Sequence, residues 1–373
     1  MKYINYHQFN ISTRMLRRIG FILLALCVST TIGLTFLTPT RAAPVLKEID
    51  LPASSSAPWG ITLDKQGNEW IAVPQCDPKP FLCQSTLQGQ LIQVDVSTFT
   101  VKNIFQQPAN HSSPFFVAAA PDGSLWFTEP ASHALGQLFP NLHNPAASIW
   151  KLWTIADANP FTLTFDTYGN IWFTDPLNNR IGWFQPTLHR YHLTAIPTAA
   201  SQPYGITRDE HTGQIWFTEN NSAVAQLASF FPSITGTLTT QAIKEYPVER
   251  NGTNTTPHLL TTDGRGNVWW TGGFDGNIGR LIIKDAQPGT SNGMKQWNTP
   301  VDEHTSGIAV APNGVVWFTD SNGDSVLSFD PASEQFTTTK LSTNAHPHDG
   351  LTVHGNQVFF TEEFANKAGT IQN

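Results

Sequence analysis

The densest group of titratable side chains lies near the C-terminal end of the chain. His346 and His348 flank a proline, Asp349 follows them directly, and Glu362 and Glu363 come shortly afterwards. Two imidazoles and three carboxylates could hold a divalent cation, or they could form a general base with its orienting carboxylate. Their spacing matches no compact zinc motif. The alternative is a solvated histidine-rich loop, since loops at binding surfaces are commonly polar.

A repeated phrase surrounds these residues and must position them. Its clearest copy opens with Pro-Tyr-Gly-Ile at 203–206, turns at Gly213 and ends in Ile-Trp-Phe-Thr-Glu at 215–219. Related copies recur along the whole chain at intervals of 42 to 56 residues. The seven anchor aromatic residues are Trp70, Trp126, Trp172, Trp216, Trp269, Trp317 and Phe359.

The repeat predicts an all-β seven-bladed β-propeller. A period near 45 residues with several short strands per unit is typical of propeller blades, whereas a helical solenoid would show a period of 3.6. Each unit reads as four antiparallel strands, and the first two are joined by a tight turn rich in Asp, Asn and Gly. A single blade cannot bury both faces of its sheet, so aromatic side chains of neighbouring blades must form the core.

Sevenfold symmetry brings equivalent positions of the repeat together around the central channel. The residue after the opening proline defines one such ring, which we call the mouth ring. Its aromatic and imidazole members, Trp59, Phe115, Phe161, Tyr204 and His258, are predicted to contact substrate in an apolar pocket. Packing between blades is the alternative for the aromatic ones. The complete ring is Trp59, Phe115, Phe161, Tyr204, His258, Ser306 and His348.

A second ring lies three residues after each anchor aromatic and is mostly acidic. We expect a structural role here, because an acid that ends a strand can bind backbone amides of the following turn. The members of this ring are Val73, Glu129, Asp175, Glu219, Gly272, Asp320 and Glu362.

The two ends of the chain have separate predicted roles. Residues 1–42 combine basic residues, an apolar run from Ile19 to Leu37 and small residues, which predicts a signal peptide or, alternatively, an N-terminal membrane anchor. Residues 43–373 are predicted to form a single propeller domain. The last blade lacks a fourth strand, and Val45–Pro52 is expected to supply it, which would remove two exposed sheet edges.

The charge and the cysteine content of the chain indicate which partners and which cellular compartment to expect. Without residues 1–42 the chain has 16 basic and 28 acidic residues, a net charge of −12. An acidic surface without basic clusters argues against nucleic acid as a partner. Cys76 and Cys83 are the only cysteines outside the N-terminal segment, and they are expected to form a disulfide that closes a loop. We expect a secreted or extracytoplasmic monomer, with no membrane contact beyond a possible N-terminal anchor.

The chain resembles the streptogramin lyase family over about residues 44–371. The carriers are the repeated Pro-Tyr-Gly-Ile and Trp-Phe-Thr-Glu phrases and the segment Phe-Thr-Glu-Glu-Phe-Ala-Asn-Lys-Ala-Gly at 360–369. Members of that family open cyclic depsipeptides by elimination, with a histidine base and a Mg²⁺ ion that polarises the ester carbonyl. The resemblance implies His348 as the base and Glu363 as the catalytic, metal-linked acid. Asp349 and Glu362 are further candidate Mg²⁺ ligands.

Several positions depart from the pattern of that family. The acid expected two residues before the base is His346, and the histidine expected at the start of blade six is Ser306, with His304 displaced by two residues. Trp59 stands where the family has tyrosine, and His258 has no histidine counterpart. An imidazole in place of a carboxylate weakens a site for a hard cation, since Mg²⁺ prefers oxygen ligands.

Three functions therefore remain open at this stage. The first is an exported lyase-like enzyme that acts on a cyclic depsipeptide or lactone. The second is a non-catalytic sensor or binding propeller for a small-molecule or cyclic peptide ligand. The third is a lactone hydrolase of the gluconolactonase type, with a Ca²⁺-like ion on a ring of acids.

Overall fold

The computed structural model describes residues 44–52, 54, 56–77, 81–83, 87–249, 255–301 and 304–372. Residues 44–373 form one compact unit, and the predicted signal or anchor at 1–42 lies outside the described residues. The described part contains seven four-stranded antiparallel sheets, as the repeat predicts. None of its helices is long and apolar enough to span a bilayer.

Blades 1 to 6 each use four consecutive strands. Blade 1 has β2 (Ile61–Leu63), β3 (Asn68–Val73), β4 (Gln90–Asp95) and β5 (Thr100–Gln106), and blade 2 has β6 (Val117–Ala119), β7 (Leu125–Glu129), β8 (Ala134–Phe139) and β9 (Ile149–Thr154). Blade 3 has β10 (Leu163–Phe165), β11 (Ile171–Asp175), β12 (Arg180–Gln185) and β13 (Arg190–Ala195), and blade 4 has β14 (Pro203–Arg208), β15 (Ile215–Glu219), β16 (Gln226–Phe230) and β17 (Lys244–Pro247). Blade 5 has β18 (Leu260–Thr262), β19 (Asn267–Thr271), β20 (Asn277–Ile282) and β21 (Met294–Asn298), and blade 6 has β22 (Thr305–Val310), β23 (Val316–Asp320), β24 (Ser325–Asp330) and β25 (Gln335–Lys340). Short 3₁₀ turns lie at Pro130–Ser132, Pro145–Ala147, Thr240–Ala242 and Ile283–Asp285.

Blade 7 is closed by the N-terminal strand, as predicted. It consists of β26 (Leu351–His354), β27 (Gln357–Glu362), β28 (Lys367–Gln372) and, at its outer edge, β1 (Val45–Asp50). The register runs antiparallel from Val45 opposite Gln372 to Asp50 opposite Lys367. Closure therefore satisfies the backbone groups of β28 that would otherwise form an open sheet edge.

The core lies between adjacent blades rather than within one blade. Trp172 and Trp183 of blade 3, for example, are buried in one cluster with Ile206, Phe217 and Phe230 of blade 4. The fully buried second strand of each blade explains the repeated Ile-Trp-Phe run, because both faces of that strand contact a neighbouring sheet.

The opening Pro-x-Gly segments enter their sheets less regularly than the sequence indicates. In blades 4 and 6 the first strand starts at Pro203 and Thr305, and its register shifts before Ile206 and Ile308. In blades 1 and 7 the ladder begins only after the glycine, and in blades 2, 3 and 5, which lack this glycine, it begins two residues after the ring residue. The proline lacks an N–H for the ladder, and the glycine approaches the next blade closely. A Cβ on Gly205 would lie 2.9 Å from the carbonyl oxygen of His258.

Candidate functional site

A belt of threonine hydroxyls holds the mouth ring in place. The threonine of each Trp-Phe-Thr strand donates its hydroxyl hydrogen to the carbonyl of the ring residue in the next blade, as Thr218 does to His258 at 2.7 Å and Thr319 to His348 at 2.6 Å. Blade 1 has Ala72 at this position, and there the backbone N–H of Gly60 donates to the Phe115 carbonyl instead. The same bond is made by Thr128, Thr174, Thr218, Thr271, Thr319 and Thr361.

The predicted mouth ring forms a continuous circle of side chains. Ring centroids are 5.0 Å apart for Phe161 and Tyr204, 4.1 Å for Tyr204 and His258, and 4.7 Å for His348 and Trp59. Phe115 completes the arc between Trp59 and Phe161 and has no exposed surface. Phe161 is equally buried, so these two side chains pack between blades, while their predicted contact with substrate stays a prediction.

Asp349 lies inside this ring and accepts hydrogen bonds from four other blades. Its Oδ2 accepts from Trp59 Nε1 at 3.2 Å and from Tyr204 Oη at 2.6 Å. Its Oδ1 accepts from Ser306 Oγ at 2.6 Å and faces His258 Nε2 at 3.1 Å. Burial alone would raise the pKa of this carboxyl, but the neighbouring His348 and His258 hold it well below its usual range. Asp349 is therefore a buried anion satisfied by converging donors.

His348 stands between Asp349 and the open side of the ring. Its Nδ1 lies 3.3 Å from Asp349 Oδ1, and about an eighth of its side chain is exposed (13%). Burial alone would lower the pKa of this imidazole, but Asp349 raises it above its usual value. Asp349, whose side chain has no exposed surface, therefore points to the centre of the ring, and His348 points to its mouth.

Three further histidines surround His348. Its ring centroid lies 5.6 Å from that of His258, 5.2 Å from that of His304 and 5.6 Å from that of His346. Burial lowers the pKa of His258 and lowers that of His304 well below the usual range. Burial and the nearby His348 lower the pKa of His346 to about 4. At neutral pH these three imidazoles are therefore uncharged.

The two adjacent acids of blade 7 have different surroundings. Glu363 is buried, and its Oε2 lies 3.6 Å from His346 Nε2, so the structure brings it to the histidine group. Glu362 ends strand β27, and the charged side chains that act on it most strongly are Glu48 and Lys367 of the outer strands. Burial and the Glu48 charge raise the pKa of Glu362 to about 8. Glu363, His348 and Asp349 therefore lie in one group of side chains, whereas Glu362 lies beside the closing strand.

Glu129 and Asp175 of the acidic ring have a structural role, as expected, but the backbone amides that they bind precede their strands instead of following them. Glu129 accepts from the backbone N–H of Ser112 at 2.8 Å and lies 2.5 Å from His111 Nδ1. Asp175 accepts from Arg180 Nε at 3.1 Å and from the backbone N–H of Asn159 at 3.2 Å. These acids organise strand ends and turns rather than the central opening.

Sequence reasoning missed the aromatic side chains that cover the histidines. Phe274 stacks on His304 at 4.2 Å and Phe364 stacks on His346 at 4.1 Å, although both phenylalanines are more than half exposed. Phe81, from the loop closed by the Cys76–Cys83 disulfide, packs against Phe161 and Tyr204 at the same ring. These residues lie outside the repeated phrase, so the repeat does not predict where their side chains lie.

Comparison with known proteins identifies the family. The family model described as the virginiamycin B lyase family matches residues 95–287, about half of the chain. Among curated protein sequences nothing matches. The fold resembles that of selenomethionine-substituted virginiamycin B lyase from Staphylococcus aureus, at 20% identity and a TM-score of 0.72 over 89% of this chain and 100% of that one.

Two other structures are similar. A streptogramin B lyase has 22% identity and a TM-score of 0.71 over 88% of this chain and 97% of that one. The extracellular domain of a putative one-component system from B. thetaiotaomicron has 13% identity and a TM-score of 0.60, covering 87% of this chain and 39% of that one. At these identities the structural likeness shows the fold alone. The family match, together with the seven blades, shows that this chain belongs to the virginiamycin B lyase family.

Proposed function

We propose that this protein is an exported lyase that opens the ring of a cyclic depsipeptide or lactone by elimination, with His348 as the general base. The observation that carries the proposal is the pairing of His348 with the buried Asp349 at the mouth of the ring, 3.3 Å apart. A base held by an orienting carboxylate is the arrangement that proton abstraction requires. A relative supports it, since a histidine-to-alanine variant of the S. aureus lyase, crystallised with quinupristin, is described as catalytically inactive.

The proposed step balances without water. His348, whose Nδ1 lies beside Asp349, uses Nε2 to take a proton from the carbon next to the one that bears the ester oxygen. The electron pair left behind forms a carbon–carbon double bond while the carbon–oxygen bond breaks. The leaving group is the carboxylate of the former ester, so the opened product has the mass of the substrate. Asp349 stabilises the imidazolium that forms.

The Mg²⁺ ion implied by the family fits these residues poorly. Mg²⁺ favours octahedral oxygen coordination, with one or two carboxylates. The open side is lined mainly by four imidazoles, and Glu363 and Asp77 are the carboxylates besides Asp349 whose charges act on His348. Glu362 faces the closing strand, and both oxygens of Asp349 face protein donors. The proposed elimination therefore does not depend on Mg²⁺. Binding of Mg²⁺ by Glu363, Asp349 and Glu362 stays a prediction.

The test is incubation of the purified protein with quinupristin and mass analysis of the product. We expect a ring-opened product of unchanged mass that carries a new double bond. His348→Asn should lower the rate by about 10²- to 10⁴-fold, the usual contribution of a positioned base. His143→Asn, at an exposed histidine, is the matched control. A product heavier by one water would indicate the lactone hydrolase instead.

A binding propeller without catalysis is the second candidate. It is favoured by the closely packed ring, in which Phe115 and Phe161 are buried and Phe81 covers part of the mouth. Quinupristin that binds and is recovered unchanged would support this function and would contradict the lyase.

A further inference from the structure

Three histidines from three blades converge beside Asp349. His258, His304 and His348 each offer one ring nitrogen, and these three atoms all lie within 4.8 Å of one another. Two of the side chains are less than a tenth exposed, at 6% for His258 and 6% for His304. Buried imidazoles that meet this closely can share an acceptor, a water or a metal ion.

Not all of these nitrogens have a protein partner. The Nε2 of His304 and the Nδ1 of His348 are buried, and neither has a hydrogen-bond partner among the described residues. His258 Nε2 and His348 Nδ1 both face the same atom, Asp349 Oδ1, at 3.1 and 3.3 Å. A buried nitrogen without a partner is destabilising, so it needs an explanation.

Two of the distances match those between the ligands of a tetrahedral metal ion. Bonds of about 2.0–2.1 Å to nitrogen and oxygen place neighbouring ligand atoms of a tetrahedron about 3.3 Å apart. The two separations from Asp349 Oδ1 agree with that spacing before any side chain moves. Small rotations of the rings would bring the remaining nitrogen–nitrogen separations into range.

We propose that His258, His304 and His348, together with Asp349 Oδ1, form a binding site for a divalent transition-metal ion such as Zn²⁺. Imidazole nitrogens suit zinc, copper, nickel and iron, whereas Mg²⁺ and Ca²⁺ select oxygen. The surroundings resemble an outer shell: Asn220 lies 3.2 Å from His258 Nδ1, and Phe274 fixes the plane of the His304 ring. The amide atom that faces His258 follows the tautomer of the ring.

The metal site predicts one effect on the proposed lyase activity. Only this effect, and not the metal site itself, rests on the proposed function. A metal ion bound to His348 Nδ1, the atom that faces Asp349, requires the ring proton to lie on Nε2. Nε2 then has no free electron pair with which to remove the substrate proton. The metal-bound and catalytic forms are therefore mutually exclusive. Transition-metal ions should inhibit the elimination, and a chelator should restore it.

The test uses Co²⁺, whose visible absorption reports tetrahedral coordination. The untagged, chelator-treated protein should bind one equivalent with an intense visible band, and Zn²⁺ should abolish that band while Mg²⁺ should not. His304→Gln should weaken Co²⁺ affinity at least about 100-fold, beyond the 10- to 100-fold loss typical of outer-shell changes. His143→Gln, an exposed histidine, should leave the affinity unchanged.

A second measurement needs no variant and no activity. In the ¹⁵N-labelled wild-type protein, Zn²⁺ should shift the ring nitrogen signals of three histidines and leave the others in place. No Co²⁺ band, Co²⁺ affinity unaffected by His304→Gln, or unshifted histidine signals would each overturn the metal site. Because none of these readouts involves substrate, failure of the lyase proposal would be seen separately, in the quinupristin assay.

Discussion

Replacing Asp349 tests whether one buried carboxylate holds five blades together. In Asp349→Ala the donors Trp59 Nε1, Tyr204 Oη, Ser306 Oγ and His258 Nε2 lose their acceptor. Each buried donor left unpaired costs about 1–3 kcal/mol. The four costs do not add in full, because neighbouring donors can rearrange together. Breaking a buried charged network typically costs about 3–5 kcal/mol, so we expect a loss of about 4 kcal/mol.

Urea unfolding followed by tryptophan fluorescence at pH 7, with chelator present, measures this loss. Asp349→Asn keeps the volume and one acceptor oxygen, so it should lose about 2 kcal/mol. Asp285→Ala removes a half-exposed carboxylate with only a 3.9 Å ion pair and should change stability by less than about 0.5 kcal/mol. A loss below about 1 kcal/mol in Asp349→Ala would refute the reasoning, because the four donors would then have other partners in the folded protein.

Three other predictions concern separate parts of the molecule. Reduction of the Cys76–Cys83 disulfide, or its replacement by serines, should cost about 2 kcal/mol for a loop this short, measured by thermal melting with and without reductant; an unchanged melting temperature would contradict it. Burial and a neighbouring carboxylate raise the pKa of Glu219 to about 9, so its proton stays bound in the folded state. Stability should therefore fall by up to about 1.4 kcal/mol per pH unit as pH rises from about 5 to 9, and Glu219→Gln should flatten that fall. Because Asp349 raises the pKa of His348, kcat/KM for quinupristin should rise with pH through an apparent pKa above 6.5; a flat profile between pH 6 and 8 would exclude His348 as the base.

The repeated phrase was sufficient to predict the blades, the closing strand and the mouth ring. Its Ile-Trp-Phe run requires two covered sheet faces, and its terminal threonine recurs because it binds the next blade. Position in the repeat therefore gave the location of Tyr204, His258 and His348 correctly. These features are predictable because one local constraint is repeated seven times.

The parts that break the repeat were not predictable. Asp349 is an additional residue after the ring position, and whether it or His348 faces the centre depends on the path of a single turn. His304 precedes the ring position by two residues, and it reaches His348 where β22 shifts its register. Phe274 and Phe364 occupy the same position of the repeat, five residues after the anchor aromatic, but no other blade has an aromatic residue there. Such contacts depend on tertiary packing, which the pattern of one chain does not encode.

The strand that seals the propeller also supports the blade that bears His348. Since β1 is the outer strand and pairs with β28, unzipping that ladder would leave blade 7 with three strands and an open side. A mechanical load at the N-terminal end of the domain, from a tether or a fused partner, would thus be applied first to the blade that provides His346, His348 and Glu363. A fusion at the opposite end of the sequence, beyond Gln372, would pull on the same sheet.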